Sequence, residues 1–158
     1  MTKTNAMRLL EQKKIDYETA EYDYDENNLS GMDAAHAIGL PPQQVFKTLV
    51  TRGDKTGILV FCIPVASELD LKKAASISAN KKVEMTHVKE LLALTGYIRG
   101  GCSPIGMKKK YTTYIDQTAL LFDKIAVSAG IRGQQILLCP KTLISFLQAK
   151  QGDIIKKS

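Results

Sequence analysis

The run ILVFCIP, Ile58 to Pro64, is apolar at every position. A strand with one wet face alternates apolar and polar residues, because successive side chains point to opposite sides. This run does not alternate, so a strand here has to be covered on both faces. The chain can supply that cover: it has 158 residues, 44% of them hydrophobic and 24% charged, enough for one domain spanning 1–158 with its own core. No stretch approaches the ~18 uninterrupted apolar residues of a membrane span. The first residues, MTKTNAMRLLEQKK, lack the apolar core of a secretory leader. No membrane partner is expected.

Punctuation divides the rest. Asn5 to Lys14 spaces Met7, Leu10 and Lys14 as a short amphipathic helix, and Ile15 to Tyr24 alternates like a strand before turning acidic. Ser30 caps a helix that Gly39 stops, and Pro41-Pro42 keeps it from resuming. Val45 to Arg52 is a strand, GDKTG a turn, and Ser67 the expected cap of SELDLKKAAS. Lys82 to Met85 is a short strand, Thr86 the expected cap of the VKELLALT helix, and Gly96 its end. Strands follow around Lys109 to Ile115, Ile125 to Ser128 and Gln135 to Leu138, then a helix from about Thr142 to Lys150. Several strand-to-strand links are too short for a crossover helix. The expected class is therefore α/β in the broad sense (α+β): a mixed, mostly antiparallel sheet surrounded by helices.

Three cysteines, Cys62, Cys102 and Cys139, lie far apart and are odd in number. Cys62 and Cys139 sit in apolar runs and are expected as buried free thiols, which suits a reducing cytoplasm. Two histidines, His36 and His87, with no C-x-x-C pair give no ligand set, so no metal and no cofactor are expected. A net charge of +6 favours polyanionic partners without establishing one.

Lys47 stands in VFKTLV, on a strand whose two faces are both largely apolar. It needs an anionic partner there, or it snorkels to solvent from the strand end. In GGCSPIG the glycines Gly100 and Gly101 permit close backbone approach, so their amides can point at a ligand oxygen, while Pro104 stiffens the loop. The segment also reads as a plain turn. VSAGIRG, Val127 to Gly133, is a second small-residue loop in which Ser128 can hydrogen-bond a ligand. It lacks the G-x-S-x-G surround of a nucleophile elbow, and no general base stands near Cys102 in the sequence. The run Lys108-Lys109-Lys110, with Lys72-Lys73 and Lys81-Lys82, can follow a phosphate backbone or simply form solvated faces.

In their order along the chain, VFKTLV, ILVFCIPV, ELDLKKAA, KKVEM, TGYIRGGCSPIG and VSAGIRG resemble the YbaK/EbsC family of stand-alone aminoacyl-tRNA editing proteins, related to the editing domain of bacterial prolyl-tRNA synthetases. The resemblance implies hydrolysis of the ester joining a wrong amino acid to tRNA, chiefly cysteine on the tRNA for proline. Cysteine and proline are close in volume, and one pocket separates such pairs by only about 1–3 kcal/mol. The resemblance also implies the roles. Lys47 matches the essential lysine near the terminal adenosine and its phosphate. Gly100 and Pro104 match the G-x-x-x-P loop, with Gly101 between them, whose amides hold the substrate carbonyl. Ser128 and Tyr22 match pocket residues, and Gly130, Arg132 and Gln135 fall in the second loop. No protein side chain attacks; the substrate's own thiol or a held water does. The family commonly reads S-x-G-K-R-G-x-D there, whereas this chain has Ile131 for the lysine and Gln135 for the aspartate. If that carboxylate holds the substrate's ammonium group, glutamine keeps a hydrogen bond and loses the charge attraction. The implied partners are aminoacyl-tRNA and prolyl-tRNA synthetase, and no heptad seam argues against a monomer. Two alternatives stay open: another mischarged substrate such as Ala-tRNA(Pro), or a non-catalytic module that binds a nucleotide or RNA end.

Overall fold

The computed structural model describes residues 2–157. In it the apolar run forms strand β3 (Gly57–Pro64), paired antiparallel with β2 (Phe46–Gly53) through the turn at 54–56. Both faces of β3 are covered, as the absence of alternation requires. Val60 and Cys62 point into one cluster with Met7 and Leu10 of helix α1 (Asn5–Gln12) and Leu143 of helix α5 (Pro140–Leu147). Leu59, Phe61 and Ile63 point into a second, with Ala74 and Ala75 of helix α3 (Leu71–Ile77), Tyr114 and Ile154.

The strands form two sheets. One has five strands in the order β4 (Val83–Met85), β2, β3, β5 (Thr112–Asp116), β8 (Lys150–Gly152). The other has three, β1 (Glu18–Glu21), β7 (Gln134–Leu138) and β6 (Ile125–Ser128). Four strand pairings are antiparallel, while β3–β5 and β5–β8 are parallel. The expected class, a mixed and mostly antiparallel arrangement with helices around it, is what the chain adopts. An isolated parallel bridge, Val45 to Ala126, joins the two sheets. Helix α2 (Gly31–Ile38) packs Ala35 against that junction together with Val45, Val65 and Ala126.

Local chemistry explains most boundaries and corrects three. Ser30 caps α2 by accepting from the Asp33 amide, and Gly39 ends it in the left-handed region. Helix α3 begins later than expected: Asp70, not Ser67, caps it, accepting from the amides of Lys72 and Lys73. The turn before helix α4 (Leu91–Thr95) is capped by His87, with Glu90 closing back on the His87 amide at 2.9 Å. Thr86 instead donates its hydroxyl to the Val50 carbonyl and so belongs to the sheet. Helix α5 starts at Pro140, whose missing N–H costs nothing at a first helical position. It stops at Leu147, because Lys150 to Gly152 pair with β5 as an edge strand.

Asp116, 1% exposed, closes this end of the sheet. It accepts from the Thr118 amide and hydroxyl at 3.1 and 2.6 Å and from the Ile154 amide at 3.1 Å. Asp116→Ala leaves those donors without their acceptor in a dry site, and the expected loss is about 1–3 kcal/mol. Urea unfolding of the two proteins measures it.

Candidate functional site

A cavity of about 360 Å³ opens beside the junction of the two sheets. Segments far apart in the chain line it. The start of β2 contributes Lys47 and its neighbours, and the end of β1 contributes Tyr22. The start of α2 brings Ser30 and Gly31, the 99–102 turn brings Arg99, Gly100 and Cys102, and the β6–β7 pair brings Ser128 and Gln135. Those last two residues are register partners across the pair, which is why both reach the same space.

Of the nine site residues expected from the sequence, Tyr22, Lys47, Gly100, Ser128 and Gln135 are brought together on the cavity wall. Gly101, Gly130, Arg132 and Pro104 are not. Gly101 faces the second loop instead: a Cβ there would lie 3.2 Å from the backbone of Ile131 and Arg132. Its amide donates to the Ile98 carbonyl, so it is already committed. Gly100 has φ +85°, a conformation side chains rarely allow. The adjacent glycines thus serve two needs, a left-handed turn and a close loop-to-loop contact. Arg132 fastens the same contact by donating Nε to the Arg99 carbonyl at 2.8 Å, and it lines a neighbouring depression with Tyr22 and Tyr24. The Gly130 amide donates to Ser128 Oγ, bending the loop back on itself. Pro104 is buried against the other side of its loop.

Lys47 is half-buried, and burial lowers its pKa below that of a free lysine, with the charge of Glu68 offsetting part of the effect. Gln135 is 5% exposed and its Oε1 has no hydrogen-bond partner. A buried orphan acceptor costs free energy unless a donor arrives. The wall therefore pairs a desolvated cation with an unsatisfied acceptor. It contains no histidine and no carboxylate.

Cys102 was passed over as a wall residue because its type suggested only a nucleophile; it lines the cavity, and burial pushes its thiol up to about 11. At neutral pH it is a protonated, weakly reactive group. Cys62 is buried as expected, its thiol pushed up to about 12 by burial. Cys139 corrects the expectation of a second buried thiol: it is exposed at the start of α5, where the Thr142 amide lowers its pKa. Brief treatment with iodoacetamide at neutral pH is expected to alkylate Cys139 first, leaving Cys62 and Cys102 unmodified, as peptide mass mapping would show. Sequence reasoning also missed Arg99, Leu29 and Val65, for which only tertiary proximity gives a signal.

The cavity at the seam of the two sheets thus combines the cationic side chains of Lys47 and Arg99 with backbone turns, and its wall carries no histidine or carboxylate to form an acid–base pair. Comparison with known proteins places the chain more narrowly. The family model for the aminoacyl-tRNA editing domain matches residues 27–146. A protein of Enterococcus faecalis named "Putative Cys-tRNA(Pro)/Cys-tRNA(Cys) deacylase EbsC" is 51% identical over 155 residues, covering 98% of this chain and 94% of its own. YwhH of Bacillus subtilis, a protein without a described function, is 26% identical over 81% of each chain. Among solved structures, one described as "a putative trans-editing enzyme for prolyl tRNA synthetase" superposes with a TM-score of 0.84, covering 99% of this chain and 100% of its own. At 24% identity that last likeness speaks to the fold. The chain belongs to the aminoacyl-tRNA editing domain family and is an enzyme of that class, a hydrolase.

Proposed function

We propose that the 158 residues work as one editing domain that deacylates Cys-tRNA(Pro) in trans, in the cytoplasm and as a monomer, with prolyl-tRNA synthetase as a transient partner. The observation that carries this is the meeting of Lys47, Gly100, Ser128 and Gln135 on one wall of a cavity sized for an aminoacyl group. The name carried by the 51% identical relative supports the substrate.

In this mechanism Lys47 holds the terminal phosphate and adenosine of the tRNA. The amides of Gly100 and Cys102, the loop positions on the cavity wall, point at the substrate carbonyl and stabilise the oxyanion as it forms. Gln135 Oε1 accepts from the substrate ammonium, taking up the buried acceptor that is otherwise orphaned. Ser128, already turned toward Gly130, shapes the wall beside it. Attack comes from the substrate's own thiol sulfur or from a water oxygen. The new bond to the acyl carbon forms, the ester C–O bond to the ribose breaks, and the nucleophile's proton ends on the ribose hydroxyl. A wall without histidine or carboxylate and a protonated Cys102 are consistent with that division of labour.

The test is deacylation of a panel: Cys-tRNA(Pro), Cys-tRNA(Cys), Ala-tRNA(Pro) and correctly charged Pro-tRNA(Pro). Rapid loss of cysteine with proline left in place supports the reading. A preference for alanine shifts it to the other substrate, and binding with no cleavage of any ester replaces it with a non-catalytic module.

A further inference from the structure

The sequence holds more lysine than the cavity uses. Four of these side chains, from three separate stretches, converge on the far side of the 100–106 loop. Lys13 ends α1, Lys109 and Lys110 precede β5, and Lys141 lies in the first turn of α5. They line two adjoining depressions of about 640 and 310 Å³ that share Lys13, Lys110 and Phe146. All four lysines are exposed, and none takes part in the ion pairs found among the described residues. The one side-chain partner among them is neutral, Lys110 donating to Gln148 Oε1.

The other lysine pairs behave differently. Lys73 is bound to Asp153 and Lys82 to Glu84, so one lysine in each of the 72–73 and 81–82 pairs is neutralised. Lys108 lies across Gly96. The tertiary structure instead links 109–110 to Lys13 and Lys141. Concentrating unpaired positive charge in one groove costs self-repulsion unless a polyanion sits there.

The loop connects this groove to the active cavity. Cys102 faces the cavity and Pro104 faces the groove, two residues and at most about 7 Å of chain apart. A polynucleotide whose 3′ end fills the cavity can therefore carry its preceding phosphates over the loop. The Tyr22 rim is the wrong side for that path, because Asp23, Asp25 and Glu26 are exposed there and repel phosphate. We infer that the groove of Lys13, Lys109, Lys110 and Lys141 binds the acceptor-stem phosphate backbone of the aminoacyl-tRNA, a role that rests on the deacylase reading above.

The probe is uncharged tRNA, followed by fluorescence anisotropy across a potassium chloride series. Lys109→Ala/Lys110→Ala and Lys13→Ala/Lys141→Ala are each expected to weaken binding and to flatten the salt slope by about 1 per lysine that contacts phosphate. In deacylation, KM rises and kcat holds, while hydrolysis of a cysteinyl ester of adenosine alone is unchanged. Unaltered affinity and slope in both double variants overturn the inference. So does an equal change in Lys72→Ala/Lys81→Ala, which reduces the effect to bulk charge. If the wild type cleaves neither the tRNA ester nor the adenosine ester, the deacylase reading has failed, and anisotropy alone still decides whether the groove binds RNA.

Discussion

Lys47→Ala is expected to lower deacylation of Cys-tRNA(Pro) by about a hundredfold or more while leaving the fold intact, the size of effect seen when one preorganised charge or donor is removed from a dry site. The side chain enters the cavity from β2 and is half-buried, so no solvent cation can replace it without a desolvation cost. Its ammonium makes no ion pair or hydrogen bond among those described in the protein, only a distant attraction to Glu68. Removing it therefore orphans no protein group, and stability is expected to change little. Because burial lowers the Lys47 pKa, its charge is lost at a lower pH than that of a free lysine. The contribution of Lys47 is present below the lowered value and falls as pH rises through it. Lys47→Arg keeps the charge to higher pH and should recover part of the activity with a flatter alkaline limb. Single-turnover rates of the three proteins from neutral to alkaline pH, corrected for spontaneous ester hydrolysis, check this. Full activity in the alanine variant would end the proposed role.

Phe61→Ala is expected to cost about 3–5 kcal/mol, a large part of the 5–15 kcal/mol by which a domain of this kind is stable. Phe61 is wholly buried in the middle of β3 and stacks on Tyr114 of β5 with centroids 5.2 Å apart and 16° between planes. Truncation removes the transfer free energy of the ring and the pair interaction, and leaves a void between β3 and α3. The melting temperature should fall by roughly 6–20 °C at this chain length. The urea midpoint should fall with an unchanged slope, because the surface exposed on unfolding hardly differs. A loss below 1 kcal/mol would mean that the core closes over the gap.

The sequence alone carried the parts whose cause is local. An apolar run without alternation demands cover on both faces, and β3 receives it from two clusters. Ser30 and Gly39 bracket α2 because capping and left-handed turns depend on one or two residues. The family pattern pointed to Tyr22, Lys47, Gly100, Ser128 and Gln135, and these do share a cavity. Tertiary structure decided what depends on residues distant in the chain. Edge strand β8 exists because β5 offers free backbone groups to Lys150–Gly152, and nothing in that tripeptide announces a strand. Cys139 is exposed although its neighbours Leu138 and Pro140 are buried, because it stands at the cap between β7 and α5. Gly101 is needed where the Ile131–Arg132 backbone presses on it, thirty residues away along the chain. Lys73 is neutralised because the fold brings Asp153 to it, and its sequence neighbours give no sign of the difference between it and Lys110 or Lys141. Capping and strand patterning act over a few residues and are written in neighbouring letters. Burial, charge pairing and loop contact are set by which segments the packed sheets bring within a few ångströms.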